Sequence, residues 1–152
     1  MRKLLFLALL MVTIFAGNAQ TAYQYKIVTT VESIVPGGIG RSRIVDSNSN
    51  MDYTVATSTR DKGNKYKRNK TKRKTLKIDS FDETKLLNFY SMMGINFQNI
   101  ASNDALISSK LTQMSKDGWE LFTVISGVES DSGKGDGKGI FITRYVFRKP
   151  IE

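Results

Sequence analysis

The chain has no cysteine and no histidine. Without cysteine there is no disulfide, no thiol nucleophile and no thiolate metal site, and no residue to carry a lipid after a leader. Without histidine, Ser-His-Asp and Cys-His catalysis is closed to a single chain. Zinc and blue-copper centres lose their principal ligand. Ser-x-x-Lys, the main histidine-free way of activating a serine, is missing too. No apolar run approaches the roughly 20 residues that cross a bilayer as a helix. These absences point away from an enzyme and lead to an expectation of no catalytic residue, no cofactor and no metal.

What is there begins with an export signal. Met1-Arg2-Lys3 is followed by 13 uncharged residues, 4–16, and then by Gly17-Asn18-Ala19. A basic start, a short apolar stretch and small residues at the cut make a signal peptide, 1–19, cleaved before Gln20. The remaining residues, 20–152, are long enough to bury a core without disulfides and read as one domain. The chain is expected to be exported, to the periplasm or beyond the cell, without a transmembrane anchor after cleavage.

Along that domain the apolar spacing suggests strands at both ends. Residues 23–35 alternate, with Tyr25, Ile27, Thr29 and Val31 sharing a face. Pro36-Gly37-Gly38 suits a type II turn, and residues 39–45 would return as a hairpin partner with Arg41 and Arg43 on one face. Residues 46–50 are loop chemistry. Met51, Tyr53 and Val55 suggest a third strand, and residues 75–78 a short fourth.

Ser80-Phe81-Asp82-Glu83 fits a capping box, and Leu86, Leu87, Tyr90 and Met93 follow at helical spacing up to Gly94. A second helix is expected from Asn103 or Asp104 to Gly118, burying Leu106, Ile107, Leu111 and Met114. Residues 119–128 and 140–148 read as two long strands joined by a glycine-rich connection. The expected class is α+β, an antiparallel β-sheet with two helices packed on one face.

Charge is concentrated in one place. Removal of the leader leaves 21 basic and 14 acidic residues, a net of +7. Residues 60–77 hold ten of those cations against Asp61 alone, so the rest of the domain is close to −2. Like charge this dense repels itself and keeps the chain extended. It also attracts anions. Lys65, Lys67, Arg68, Lys70, Lys72, Arg73 and Lys74 are therefore candidates for binding a polyanion, an anionic lipid or polysaccharide surface outside the cytoplasm. Specific nucleic-acid recognition is not expected, because stacking needs aromatic residues and Tyr66 is the only one in the run. A solvated loop without a ligand explains the run as well.

Other motifs reduce to simpler accounts. Residues 133–139 are glycine- and lysine-rich, but Ser132 replaces the first P-loop glycine, Gly139 replaces the Ser or Thr, and a strand follows. Asp131 and Asp136 lack calcium-loop spacing. Asp117 and Glu120 flank Gly118-Trp119 as turn and outward strand residues, with no partnered base. Arg41 and Arg43, beside Gly37, Gly38 and Gly40, are candidates for anion binding, although a plain turn accounts for them too.

The stretch Lys116-Asp117-Gly118-Trp119-Glu120-Leu121, a hydrophobic strand and a last strand ending Phe147-Arg148-Lys149-Pro150 resemble a family of small exported bacterial proteins of unknown function. Its hallmark is Gly-Trp-Glu-Leu between helix and strand, with an opening strand like Tyr23-Gln24-Tyr25-Lys26-Ile27-Val28. The resemblance covers residues 23–31 and 104–150 and extends to 35–43 and 88–100. It implies a β-α-β-β core and carries no activity or site residues. The large insertion before the second helix departs from the shortest members. The functional expectation is a non-enzymatic binding module of the cell envelope, the alternatives being an accessory protein without a polyanion ligand or an unrecognised enzyme.

Overall fold

A computed structural model describes residues 21–33, 41–59, 71–129 and 139–151. The expected leader, the expected turn at Pro36-Gly37-Gly38, Lys65, Lys67, Arg68, Lys70 and residues 130–138 of the expected connection lie outside the described residues. Five strands make one antiparallel sheet: β1 (Tyr23–Ser33), β2 (Arg43–Asp46), β3 (Asp82–Lys85), β6 (Glu120–Glu129) and β7 (Ile140–Pro150), in the order β3-β2-β1-β7-β6. Between β3 and the one α-helix among the described residues, α1 (Phe97–Lys116), lies a small hairpin of β4 (Tyr90–Ser91) and β5 (Gly94–Ile95). Among the described residues no helix is long and apolar enough to cross a membrane.

The centre of the sheet follows the sequence pattern. β1 and β7 pair along their whole lengths, from Tyr23 opposite Pro150 to Ser33 opposite Ile140. Directly opposed residues share a face, so Val28 with Tyr145 and Lys26 with Phe147 look the same way. That face meets α1. Val28, Ile44, Leu86, Met114 and Phe147 are buried there, flanked by Ile107, Leu111 and Trp119. Strand alternation sends Tyr25, Ile27, Thr29 and Val31 to the opposite, open face, where Tyr25 and Ile27 stay half exposed. At the β6 end an extra residue, Phe122, makes a bulge. Its ring packs edge-on against Tyr25 at 6.0 Å, and Arg148 lies 4.8 Å from the ring centres of both Phe122 and Tyr23.

Several expectations are corrected. The first expected helix is absent: residues 82–85 are β3, paired with β2 from Arg43 opposite Lys85 to Asp46 opposite Asp82. The ladder runs one step further through the Leu86 N–H, which donates to the Ser42 carbonyl at 2.9 Å. Leu86 is buried, yet Leu87, Met92 and Met93 are exposed, so the spacing that mimics a helix serves no common face. A strand edge offered hydrogen bonds that an isolated short helix would have had to form alone. Among the described residues the sheet therefore carries one α-helix rather than two. That helix also begins earlier than expected. Asn96 caps it by accepting from the Asn99 N–H at 3.1 Å. Its first turn, with Phe97 and Gln98 exposed, shows no apolar stripe.

Leu106, expected in the buried stripe, is 40% exposed. Its place is taken by Asn103, fully buried. The expected third strand is a single 3₁₀ turn, Tyr53–Ala56, capped by Asp52. Residues 75–78 form no strand either: Arg73–Leu76 is another 3₁₀ turn.

Candidate functional site

The polar machinery gathers where the end of β2, the start of β1 and the C-terminal part of α1 meet. Asp46, the last residue of β2, faces the helix and is 4% exposed. An isolated carboxylate there would be costly. Two ammonium groups answer it. Lys110 from α1 donates to Oδ2 of Asp46. Lys26 from β1 lies 3.0 Å from Oδ1, while its aligned hydrogen bond goes to the Asn48 side-chain amide oxygen, Oδ1, at 2.6 Å. Oδ1 of Asp46 thus has a charge beside it but no donor aimed at it. Burial by itself pushes the Asp46 carboxyl up. The Lys110 hydrogen bond and the charges of Lys110 and Lys26 outweigh this and hold it below its ordinary 3.8.

The loop after β2 runs on beside β1. Asn48 accepts from Lys26 of β1, and Asn50 and Gln24 line the same groove. Residues in the loop are tied at both sides. Ser49 N–H donates to the Ser47 hydroxyl at 3.2 Å, and the Ser49 hydroxyl donates to the Ser80 carbonyl at 3.2 Å. Across from it α1 ends at Asp117, whose carboxylate accepts from the Gln113 amide at 2.9 Å and whose carbonyl accepts from Lys149 at 3.2 Å. Gly118 then takes φ +81°, the left-handed conformation of a helix stop. Trp119 follows, its N–H donating to Met114 at 3.0 Å. Loop, β1 and helix end enclose a groove of about 590 Å³, lined by Gln24, Lys26, Asn48, Asn50, Asp117 and Trp119 among others.

A second polar cluster is structural in its connections. Asn103 accepts from the Leu87 N–H at 2.8 Å and donates to the Leu87 carbonyl at 2.7 Å, as a neighbouring strand would. It also donates to Glu32 at 3.1 Å. Burial pushes the Glu32 carboxyl above its ordinary 4.5, opposed by that amide and assisted by Asp104. Ser42, fully buried, accepts from Ser33 N–H and donates to Asn88, both at 3.0 Å. These bonds hold the segment from β3 to the small hairpin against the helix and the sheet. Beyond it, Phe89, Tyr90, Ile95, Ile100 and Phe141 line an apolar hollow of about 400 Å³.

The residues singled out from sequence fall elsewhere. Arg43 points from the open face of β2 and pairs with Glu83 at 2.7 Å, both side chains well exposed. Arg41 is exposed beside it, and neither lines a described hollow. Lys72, Arg73 and Lys74 are exposed on the second 3₁₀ turn and make no ion pair with a described residue. The turn is tied to the rest by the Thr71 hydroxyl, which donates to the Val55 carbonyl. Leu76 and Lys77 line a hollow with Val45, Ser47 and Phe81, and Ile78 borders both this hollow and the groove. Glu120 is held by a two-toothed ion pair with Arg148, at 2.8 and 3.1 Å.

Sequence reasoning missed Lys26, Asp46 and Lys110. Asp46 looked like the first residue of a polar loop, and nothing local announces that a strand lysine and a helix lysine converge on it. One signal was available: Lys26 is the one basic residue in the strand Tyr23–Ser33. Among the described residues no group of three acidic side chains is placed to hold a metal ion. No family model, curated protein or solved structure shows a significant match to this chain.

Proposed function

We propose that the chain is a non-enzymatic binding module of the cell envelope, exported by its leader, and that it holds a polyanion along residues 60–77. One observation carries the reading. Lys72, Arg73 and Lys74 stand exposed in a row with no carboxylate among the described residues to neutralise them. Cations that serve stability would be paired internally, as Lys26, Lys110 and Arg148 are. Near an anionic surface each is worth about 1 kcal/mol, and the run has ten. The partner is an anionic lipid surface or an anionic polysaccharide. Membership of the exported family with Gly-Trp-Glu-Leu between helix and strand belongs to the same proposal. It is supported by the order of α1, Gly118-Trp119-Glu120-Leu121, β6 and β7.

The test compares the protein with a variant in which residues 65–74 are replaced by Gly and Ser. Binding to phosphatidylglycerol vesicles and to alginate is measured as salt rises. The original chain should bind at low salt and release towards 1 M, where the screening length falls to about 3 Å. The variant should not bind either. Equal binding by both chains would end the proposal.

A further inference from the structure

We propose a second binding site, independent of the basic run: the groove between β1, the 47–50 loop and the end of α1 takes a neutral, hydroxyl-rich saccharide. Its volume of about 590 Å³ lies in the usual range for small-ligand sites. Its lining separates it from the other two hollows. Those are walled by Phe89, Ile95, Ile100 and Phe141, or by Val45, Leu76, Ile78 and Phe81. This one presents two asparagines, a glutamine, two serines, a carboxylate and the chain's only tryptophan.

The chemistry selects the ligand class. A sugar hydroxyl both donates and accepts, and its ring also has a C–H face that is apolar. Amides and hydroxyls offer donors and acceptors together. An indole supplies apolar surface beside a polar tip. Gln24, Asn48, Asn50 and Trp119 provide that combination.

Charge argues against an anion here. Lys26, the only cation among the described residues lining the groove, is already engaged by Asp46 and Asn48, and Asp117 adds a negative charge on the opposite wall. A phosphate or carboxylate would need free donors with net positive charge. The wall is also preformed. Ser49 is tied to Ser80, Asn48 to Lys26 and Asp117 to Lys149, so less ordering remains to be done on binding.

The single tryptophan makes the test direct. The purified protein is titrated with maltohexaose, cellohexaose and chitohexaose while Trp119 emission is followed, at low salt and at about 1 M salt, where exposed charges are screened. At least one of the three should give a saturable change with the same Kd, within about twofold, at both salts. Asn50→Ala and Asn48→Ala should each weaken it by about tenfold, one to two hydrogen bonds' worth. Asn50→Ala, in the exposed loop, should leave the thermal transition unchanged. Replacing residues 65–74 by Gly and Ser should leave saccharide binding intact, which separates this site from the polyanion reading. The proposal is overturned by no saturable response to any of the three sugars. Binding that disappears at high salt, or that both asparagine variants retain in full, overturns it equally.

Discussion

Asn103 shows how one side chain can replace a strand. It is completely buried and spends its amide on both backbone groups of Leu87 and on Glu32. An alanine there would take the partner from both part-buried backbone groups of Leu87, each loss costing about 1–3 kcal/mol. Asn103→Ala should therefore lower the unfolding free energy by about 2–4 kcal/mol, read from urea denaturation. A change below about 0.5 kcal/mol, the usual range of a surface substitution, would mean that water takes over these bonds at no cost. From the sequence Asn103 was legible only as a possible helix start, because asparagine favours caps. Its burial in mid-helix depends on Leu87, 16 residues away, which no local pattern encodes.

At the scale of elements, α1 has one end that could be read and one that could not. The C-terminal stop was visible, since Gly118 precedes Trp119 and glycine tolerates φ +81°. A Cβ at this position would sit 3.3 Å from the Lys149 side-chain end, which is flexible and can move. The backbone conformation is the larger obstacle. Gly118→Ala should cost about 1–2 kcal/mol, measurable as a lower Tm, while Gly127→Ala, with open space around it, escapes that conformational penalty. The N-terminal start was hidden because Phe97, Gln98 and Ala101 are exposed and print no apolar period. β3 was hidden for a related reason. Asp82, Glu83, Thr84 and Lys85 are all exposed, so nothing in their alternation marks a strand. Only pairing with β2 makes them one.

Across the whole molecule, Asp46 joins three elements: β2 carries it, and Lys26 of β1 and Lys110 of α1 close on it. Its carboxyl is held below 3.8 in the folded chain, so the folded state binds its proton less readily than the unfolded state. The stabilisation is fully present above the unfolded value and disappears as pH falls through the folded one. Urea midpoints should thus drop as the solution is acidified below about pH 4. Asp46→Asn should be less stable near neutrality and lose this part of the acid dependence. Parallel pH profiles for the two proteins would refute the linkage. Among the described residues the sheet has one covered face, and the apolar open face with Tyr25, Ile27 and Ile125 exposed was what the alternation of the first strand had made most conspicuous.

By itself the amino-acid sequence settled what the chain has no means to do, since no fold can supply an imidazole or a thiol. It also determined the long strands β1, β6 and β7 and the stop at Gly118, because those depend on side-chain period and backbone freedom within a few residues. Tertiary structure alone decided which face of β1 is buried, that residues 82–85 complete a sheet, and that Asp46 sits between two lysines. Each of these depends on strand register or on contacts across 18 to 64 positions of chain, as in Val28 against Asp46, Lys26 against Asp46 and Lys110 against Asp46. Such pairings are chosen by the free energy of the assembled core and its hydrogen bonds, to which any short window of sequence is blind.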